Sequence, residues 1–264
     1  MQTLYCPFDN ASLDCYPMDN ATGAVVICPG GGYAFLSKWE DTFIARAFNQ
    51  AGYHAFVLHY NVKAPPLGWR PLRQLAWAVS LVRGGAGMPG IQKVAVCGFS
   101  AGGHLAASLG VQWHNAALFT PDADLACQRP DALILGYPVI SGGAYAHSGS
   151  FAQLAGEDRG RWPDFSLEKL VDKRSTPTFL WHAVPDASVP VQNSLLFFEQ
   201  LLKFGVAAEL HLYPFGTHGM SLATPPVARP TENRLADPHV ATWMPLAIQW
   251  LADIFSGRAQ AEKG

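Results

Sequence analysis

Short apolar runs that alternate with longer amphipathic segments are the feature that most constrains the fold of this chain. Six runs are nearly continuously apolar, which is typical of parallel strands covered by helices. They span residues 24–30, 54–60, 93–99, 131–138, 176–182 and 208–214. Helical patterns occupy residues 38–51, 70–84, 101–114, 190–204 and 238–255. The alternation predicts an α/β fold with a doubly wound, mostly parallel sheet and helices on both faces.

Two segments lie outside this alternation. "TLYCPF" and "SLDCYP", separated by "DNA" near the start of the chain, predict a hairpin that extends one edge of the sheet. Residues 141–175 carry glycine, serine and charge without strand character, and they form either a small cap over the carboxyl ends of the strands or a plain surface excursion. Because no linker divides the chain, we expect a single domain over residues 1–264.

Composition excludes several classes of protein. Apolar residues make up 49% of the chain and charged residues 14%, which excludes a disordered or coiled-coil protein. With 18 basic and 20 acidic residues, the chain has no charge excess suited to nucleic acid or an anionic membrane. Five unclustered cysteines favour neither a disulfide framework nor a metal site. We see no signal peptide and no apolar stretch of transmembrane length, so we expect a cytoplasmic protein.

The stretch "VAVCGFSAGGHLAASLG", residues 94–110, passes from a strand directly into a helix through a glycine-rich turn. Gly98-Phe99-Ser100-Ala101-Gly102 fits G-x-S-x-G in the strand–turn–helix context of a nucleophile elbow. In such a turn the serine backbone is strained, and larger flanking side chains would collide with the strand and the helix. The pattern therefore predicts Ser100 as an exposed nucleophile at the head of the sheet.

A second glycine cluster, "CPGGGYAF" at residues 28–35, follows an earlier predicted strand. A flexible loop is one interpretation. The other is that backbone N–H groups must approach a substrate oxygen closely, which side chains would obstruct. On that interpretation Gly31 and Gly32, together with the N–H of Ala101, form an oxyanion hole.

A serine hydroxyl needs a base and an orienting carboxylate, in the chain order Ser, Asp, His for this fold. His218 lies in "PFGTHGMS" after the last predicted strand, and we predict it as the base. Asp186 directly follows a strand in "WHAVPDASVP", and we predict it as the carboxylate. Other candidates have structural interpretations, as strand, helix-start or loop residues. They are His182, His211 and His239 for the base, and Asp158, Asp164 and Asp172 for the carboxylate.

Aromatic residues cluster beside these candidates. Tyr33 and Phe35 follow the glycine loop, Phe99 precedes Ser100, and Tyr137 ends the next strand. We expect them to contact the substrate and to narrow the acyl side of the site. The alternative is that they only pack the edge of the sheet.

Several motifs together resemble a known family. "ICPGGGY", "GFSAGGHLAA", "HAVPDASVPVQNS", "YPFGTHGMSLA" and "HVATWMPLAIQWL" are similar to the small α/β-hydrolase esterases of the acetyl-xylan esterase and feruloyl-esterase-like group, near the hormone-sensitive-lipase-like enzymes. The resemblance covers about residues 22–255. The lipase form of the oxyanion loop begins with histidine, and Pro29 occupies that place here. The resemblance implies an α/β-hydrolase fold and a carboxylic ester hydrolase that removes acetyl groups from sugars or xylo-oligosaccharides, with no cofactor and no metal.

Other functions use the same residues. An arylformamidase similar to the kynurenine formamidases, or a small peptidase, would share the triad. A non-catalytic ligand-binding protein on this scaffold would be expected to have lost a triad member, whereas all three candidates are present. The expected partner is a small ester, with no nucleic acid and no membrane, and the sequence is compatible with a homodimer.

Overall fold

The computed structural model describes residues 2–86, 88 and 91–258. In this part of the chain a single eight-stranded sheet runs through the molecule, with strand order β1-β2-β4-β3-β5-β6-β7-β8. The strands are β1 (Gln2–Tyr5), β2 (Ser12–Tyr16), β3 (Ala24–Cys28), β4 (His54–His59), β5 (Val94–Phe99), β6 (Ala132–Gly136), β7 (Thr178–Ala183) and β8 (Ala208–Tyr213).

The six strands from β3 to β8 are parallel, whereas β1 and β2 pair antiparallel with each other and β2 pairs antiparallel with β4. The predicted hairpin is confirmed, with Leu4 opposite Leu13. Because every parallel strand runs the same way, the loops that follow β3, β5, β6, β7 and β8 emerge along one edge of the sheet. All the predicted site residues belong to that edge.

Six α-helices cover the two faces of the sheet in the described part of the chain. They are α1 (Thr42–Gln50), α2 (Arg70–Arg83), α3 (Ala101–Gln112), α4 (Ser148–Ala155), α5 (Gln192–Lys203) and α6 (Trp243–Phe255). Side chains of α2, α3, α4 and α5 join one core cluster, and those of α1 and α6 join the other. The predicted doubly wound architecture is therefore confirmed.

Residue alternation along β3 shows how the sheet supports both cores. Ala24, Val26 and Cys28 face one cluster, whereas Val25 and Ile27 face the other, and all five are buried. Strands buried on both faces lack the apolar–polar alternation of a half-exposed strand, which explains the continuous apolar runs in the sequence.

Helix α3 is buried along its whole length, from Ala101 to Gln112. Its glycines and alanines allow neighbouring strands to approach closely. Because the helix is buried on all sides, the turn at Ser100 from which it starts is held in place.

The predicted helices at 38–51 and 238–255 begin later than expected. Helix α1 begins at Thr42, where the carboxylate of Asp41 accepts the Thr42 N–H, so residues 38–41 remain in a loop. Helix α6 begins at Trp243 after one 3₁₀ turn, Val240–Thr242. Asp237 caps that 3₁₀ turn by accepting the N–H groups of His239 and Val240.

Residues 141–175 form α4 followed by two 3₁₀ segments, Arg159–Phe165 and Leu167–Lys169. Phe151, Leu154 and Trp162 of this segment belong to the same buried cluster as α2 and α3. The segment is thus packed onto the main body rather than separated from it.

All five cysteines are free, and Cys28 and Cys97 are fully buried among apolar side chains, as expected for small hydrophobic residues. No helix in the described ranges combines the length and the apolar character that a bilayer crossing requires.

Candidate active site

Ser100 occupies the sharp turn between β5 and α3, with φ 54° and ψ −119°. A β-carbon on Gly98 would overlap the carbonyl of Gly102, and one on Gly102 would overlap the carbonyl of Cys28. The strand and the helix can therefore approach this closely only with glycine at both positions. The Ser100 N–H donates to the carbonyl of Gly136 at 3.0 Å, which holds the strained residue against the neighbouring strand.

The structure brings Ser100, His218 and Asp186 together from three different loops. The Ser100 Oγ lies 2.8 Å from His218 Nε2, and His218 Nδ1 lies 2.7 Å from Asp186 Oδ2. In this arrangement the imidazole Nδ1–H donates to the carboxylate and Nε2 accepts from the serine hydroxyl. Such a chain can move a proton from serine to imidazole when an electrophile approaches.

Asp186 lies on the turn after β7, and both of its carboxylate oxygens accept hydrogen bonds. Its Oδ1 accepts the N–H groups of Ser188 and Val189, each at 2.9 Å. Burial raises the pKa of Asp186, but hydrogen bonds from His182 and His218 outweigh it and hold that pKa below its ordinary value of 3.8. The carboxylate is therefore ionised and fixed in orientation.

The loop that carries His218 is held by two arginines. Arg234 Nε donates to the His218 carbonyl at 2.7 Å, and an Arg229 Nη donates to the Gly219 carbonyl at 2.8 Å. Glu232 accepts from both guanidinium groups, so the pair is bound into one cluster. The backbone at and directly after the predicted base is consequently anchored by side-chain hydrogen bonds.

The glycine loop after β3 borders a cavity of about 660 Å³. Gly31 and Gly32 have φ values of +127° and +64°, and a β-carbon on Gly31 would overlap the carbonyl of Phe35. Ser100 and His218 line the same cavity, so the loop and the serine face a common space.

The predicted substrate contacts divide into two groups. Phe35 lines the cavity and is 62% exposed. Tyr33, Phe99 and Tyr137 do not line it, because their side chains are buried beneath the site. The Tyr33 hydroxyl bonds to His104 Nδ1 at 2.9 Å, and the Phe99 ring packs against Tyr137. The expectation that these three residues narrow the acyl side is corrected: they support the edge of the sheet.

The competing histidines and aspartates lie in other environments. His211 pairs with Glu209 on β8, and Asp172 pairs with Arg174. His182 is fully buried at the end of β7, where Nε2 lies 3.0 Å from the Val189 carbonyl and 3.4 Å from Asp186 Oδ2. It packs at the strand end as expected, but it also contacts the carboxylate of the site.

Two residues of the site escaped the sequence analysis. Glu40 is buried next to the glycine loop, whereas the sequence analysis placed it without comment inside the predicted helix at 38–51. His147 lines the cavity from the segment before α4, and Nδ1 accepts the Ser150 N–H at 3.2 Å. Neither residue lies in a motif. Within residues 2–86, 88 and 91–258, no set of His, Cys, Asp or Glu side chains has the arrangement of a metal site.

Comparisons with known proteins agree with this architecture. The chain matches none of the protein-family models against which it was compared. An acetyl ester-xyloside bifunctional hydrolase from Caldicellulosiruptor lactoaceticus is 35% identical, with a TM-score of 0.78 over 94% of this chain and 89% of that one.

Two curated relatives extend the comparison. An acetylxylan esterase from Xylanibacter ruminicola is 30% identical over 227 residues, and an endo-1,4-beta-xylanase B from Butyrivibrio fibrisolvens is 34% identical over 226 residues. The matches cover 81% and 83% of this chain, but only 44% and 34% of those proteins. The chain thus spans less than half the length of either curated relative.

The solved hydrolase is matched over nearly its whole length, at an identity that indicates common descent rather than a shared fold alone. The family predicted from the motifs is confirmed: the chain belongs to the α/β-hydrolase-fold esterases of the acetyl-xylan esterase group.

Proposed function

We propose that this chain is a serine carboxylic ester hydrolase that removes acetyl or similarly short acyl groups from sugars or xylo-oligosaccharides. The observation that carries the proposal is the hydrogen-bonded chain from Ser100 through His218 to Asp186, which ends at a cavity bordered by the glycine loop. Acyl transfer needs this combination of nucleophile, base and oriented carboxylate beside an anion-binding space.

The reaction proceeds in two acyl-transfer steps. Ser100 Oγ attacks the ester carbonyl while His218 Nε2 takes its proton, and His218 then protonates the departing alcohol. Water repeats the sequence on the acyl-enzyme and releases the acid. Asp186 holds Nδ1–H throughout and stabilises the imidazolium that forms in each step.

The negative oxygen of each tetrahedral intermediate is stabilised by N–H groups of Gly31, Gly32 and Ala101. Ala101 is the first residue of α3, so its N–H and the positive end of the helix dipole point toward the developing charge. Removing one such donor from a comparable site costs about 10² to 10³ in kcat.

The sugar as leaving group is supported by two kinds of observation. Lys38, Gln153, Glu232 and Arg234 line the cavity together with Phe35, and these charged and amide groups offer hydrogen-bond partners to a hydroxylated alcohol. Relatives named acetylxylan esterase and acetyl ester-xyloside hydrolase point to the same substrate class.

A substrate panel tests the proposal. We expect acetylated xylo-oligosaccharides and p-nitrophenyl acetate to be hydrolysed, and p-nitrophenyl octanoate to be nearly inert. N-formylkynurenine and a peptide amide test the arylformamidase and peptidase alternatives. The highest kcat/KM on octanoate would favour a lipase-like esterase, and activity confined to N-formylkynurenine would favour a formamidase.

The fluorophosphonate reaction provides a separate control. A fluorophosphonate probe should label wild-type protein at Ser100 and should leave Ser100→Ala unlabelled. Absence of labelling in the folded wild-type protein would favour a non-catalytic ligand-binding role over every hydrolase on the panel.

A further inference from the structure

Glu40 is a buried carboxylate that the proposed reaction does not use. Glu40 is 3% exposed, and each of its carboxylate oxygens accepts one hydrogen bond. Oε2 accepts the N–H of Gly30 at 2.8 Å, and Oε1 accepts the hydroxyl of Tyr137 at 2.6 Å. Burying a carboxylate is costly, so its partners indicate what it holds in place.

The first partner belongs to the glycine loop. Gly30 immediately precedes Gly31 and Gly32, and a β-carbon on Gly30 would come within 2.8 Å of Glu40 Oε2. The carboxylate therefore lies directly against the backbone of this loop. Its hydrogen bond fixes the peptide next to the proposed oxyanion hole.

The second partner of Glu40, Tyr137, contacts the predicted base. The ring of Tyr137 packs edge-on against the imidazole of His218, with centroids 5.0 Å apart. The Tyr137 hydroxyl also accepts the N–H of Ser221, three residues beyond His218, at 3.0 Å. Tyr137 has φ +38°, an unusual backbone conformation for a residue with a side chain, and that conformation is consistent with a position fixed by several contacts.

A second hydrogen bond joins the histidine loop directly to the segment that carries Glu40. The Ser221 hydroxyl donates to the carbonyl of Trp39 at 2.5 Å, and Trp39 is the chain neighbour of Glu40. The histidine loop is thus bonded to the segment 39–40 both directly and through Tyr137. The glycine loop and the histidine loop are therefore held in a fixed relation by Glu40, Tyr137 and Ser221.

We infer that Glu40 is a positioning residue that links the glycine loop to the histidine loop through Tyr137. It sets the distance between the oxyanion-stabilising N–H groups and the base, which must act on the same carbonyl group. This inference rests on the proposed ester hydrolysis. A displacement of about 1 Å between such groups can cost on the order of 10² in rate, so the link acts on kcat rather than on substrate binding.

The test compares three single variants and one double variant. Tyr137→Phe removes the hydroxyl that bridges Glu40 and Ser221 but retains the ring against His218, and Glu40→Gln retains the shape of Glu40 but cannot accept both bonds. Tyr53→Phe is the matched control, because Tyr53 is also a buried tyrosine and directly precedes β4, at the amino end of the parallel strands and away from the site.

With p-nitrophenyl acetate, we expect Tyr137→Phe and Glu40→Gln each to lower kcat about 10- to 100-fold while KM changes less than about threefold. The double variant should be about as impaired as the worse single variant, because both break one link. Tyr53→Phe should stay within about twofold of wild type. Wild-type kcat in Tyr137→Phe would overturn the inference, and this variant decides the matter if Glu40→Gln does not fold.

Hydrogen exchange provides a readout that does not depend on ester hydrolysis. Tyr137→Phe should speed exchange of the Gly30 amide, which bonds to Glu40 and not to Tyr137. A loss of kcat with unchanged exchange at Gly30 would overturn the link, because Tyr137 would then act on His218 alone. If the wild-type protein hydrolyses no ester, the proposed function fails, and the Gly30 exchange still shows whether the two loops are coupled.

Discussion

Asp186→Asn is expected to inactivate the protein by moving the proton of neutral His218 from Nδ1 to Nε2. The orientation of the new amide is decided by the partners of Asp186. At the Oδ1 position two backbone N–H groups, from Ser188 and Val189, require an acceptor. The amide oxygen must therefore remain there, and the amide NH₂ takes the place of Oδ2 beside His218 Nδ1.

An NH₂ group beside Nδ1 needs an acceptor, so the imidazole must carry its proton on Nε2. That nitrogen lies 2.8 Å from Ser100 Oγ and could then only donate to it. The base can no longer take the serine proton. The corresponding change in a serine protease lowers kcat about 10⁴-fold, which is about 5 kcal/mol of transition-state stabilisation.

The assay is steady-state hydrolysis of p-nitrophenyl acetate, with thermal unfolding as a check on folding. We expect kcat to fall on the order of 10⁴-fold and KM to change little, because the Asp186 side chain is fully buried and does not reach the cavity. Asp237→Asn is the matched control, because Asp237 also accepts backbone N–H groups two and three residues along the chain, whereas no imidazole nitrogen in the described ranges bonds to its carboxylate. A folded Asp186→Asn protein with more than about a tenth of wild-type kcat would refute the assignment.

Three further outcomes follow from the same geometry. Ser100→Ala should lower ester hydrolysis by about 10⁶-fold with the fold retained, as measured by kcat and circular dichroism, and activity within tenfold of wild type would contradict the nucleophile assignment. Gly31→Val should lower both kcat and the melting temperature, because its φ of +127° and the nearby Phe35 carbonyl exclude a branched side chain; unchanged kcat would place the oxyanion hole elsewhere. Since the pKa of Asp186 is lowered on folding, its ionised form stabilises the native state above pH 3.8, and this contribution is lost as the pH falls below that value. Acid titration of the free energy of unfolding should accordingly show a shallower decline in Asp186→Asn than in wild type, and equal slopes would argue against the lowered pKa.

The sequence was most informative where backbone geometry alone decides the structure. Only glycine fits at positions 98 and 102, because the carbonyls of Gly102 and Cys28 occupy the space of a β-carbon. A constraint of that kind appears in the sequence as glycine at a fixed spacing from Ser100. The same holds for strands buried on both faces, whose apolar runs were located to within a few residues.

Side-chain direction at the ends of strands was not predictable in this way. Tyr137 directly follows β6, so its position on the edge of the sheet could be inferred, but its φ of +38° turns the chain and directs the ring beneath the cavity. Glu40 had no signal at all, since the helix expected from residue 38 begins only at Thr42 and leaves it in a buried loop. Both outcomes depend on contacts outside the local sequence, because Glu40 bonds to Gly30 and Tyr137 contacts Ser221 and His218.

The buried positions of Tyr33, Phe99 and Tyr137 change which residues can limit the length of the substrate's acyl chain. A narrow acyl side was expected from Tyr33, Phe99 and Tyr137, yet none of them lines the cavity, so replacing Tyr33 or Tyr137 by alanine would disturb the support of the site rather than enlarge it. Any limit on chain length must come from residues that face the cavity, such as Phe35 on one loop and His147 beside α4. We therefore expect any selectivity for short acyl groups to depend on the exposed loops, and we expect the aromatic layer beneath them to govern how well the proposed nucleophile and base are aligned.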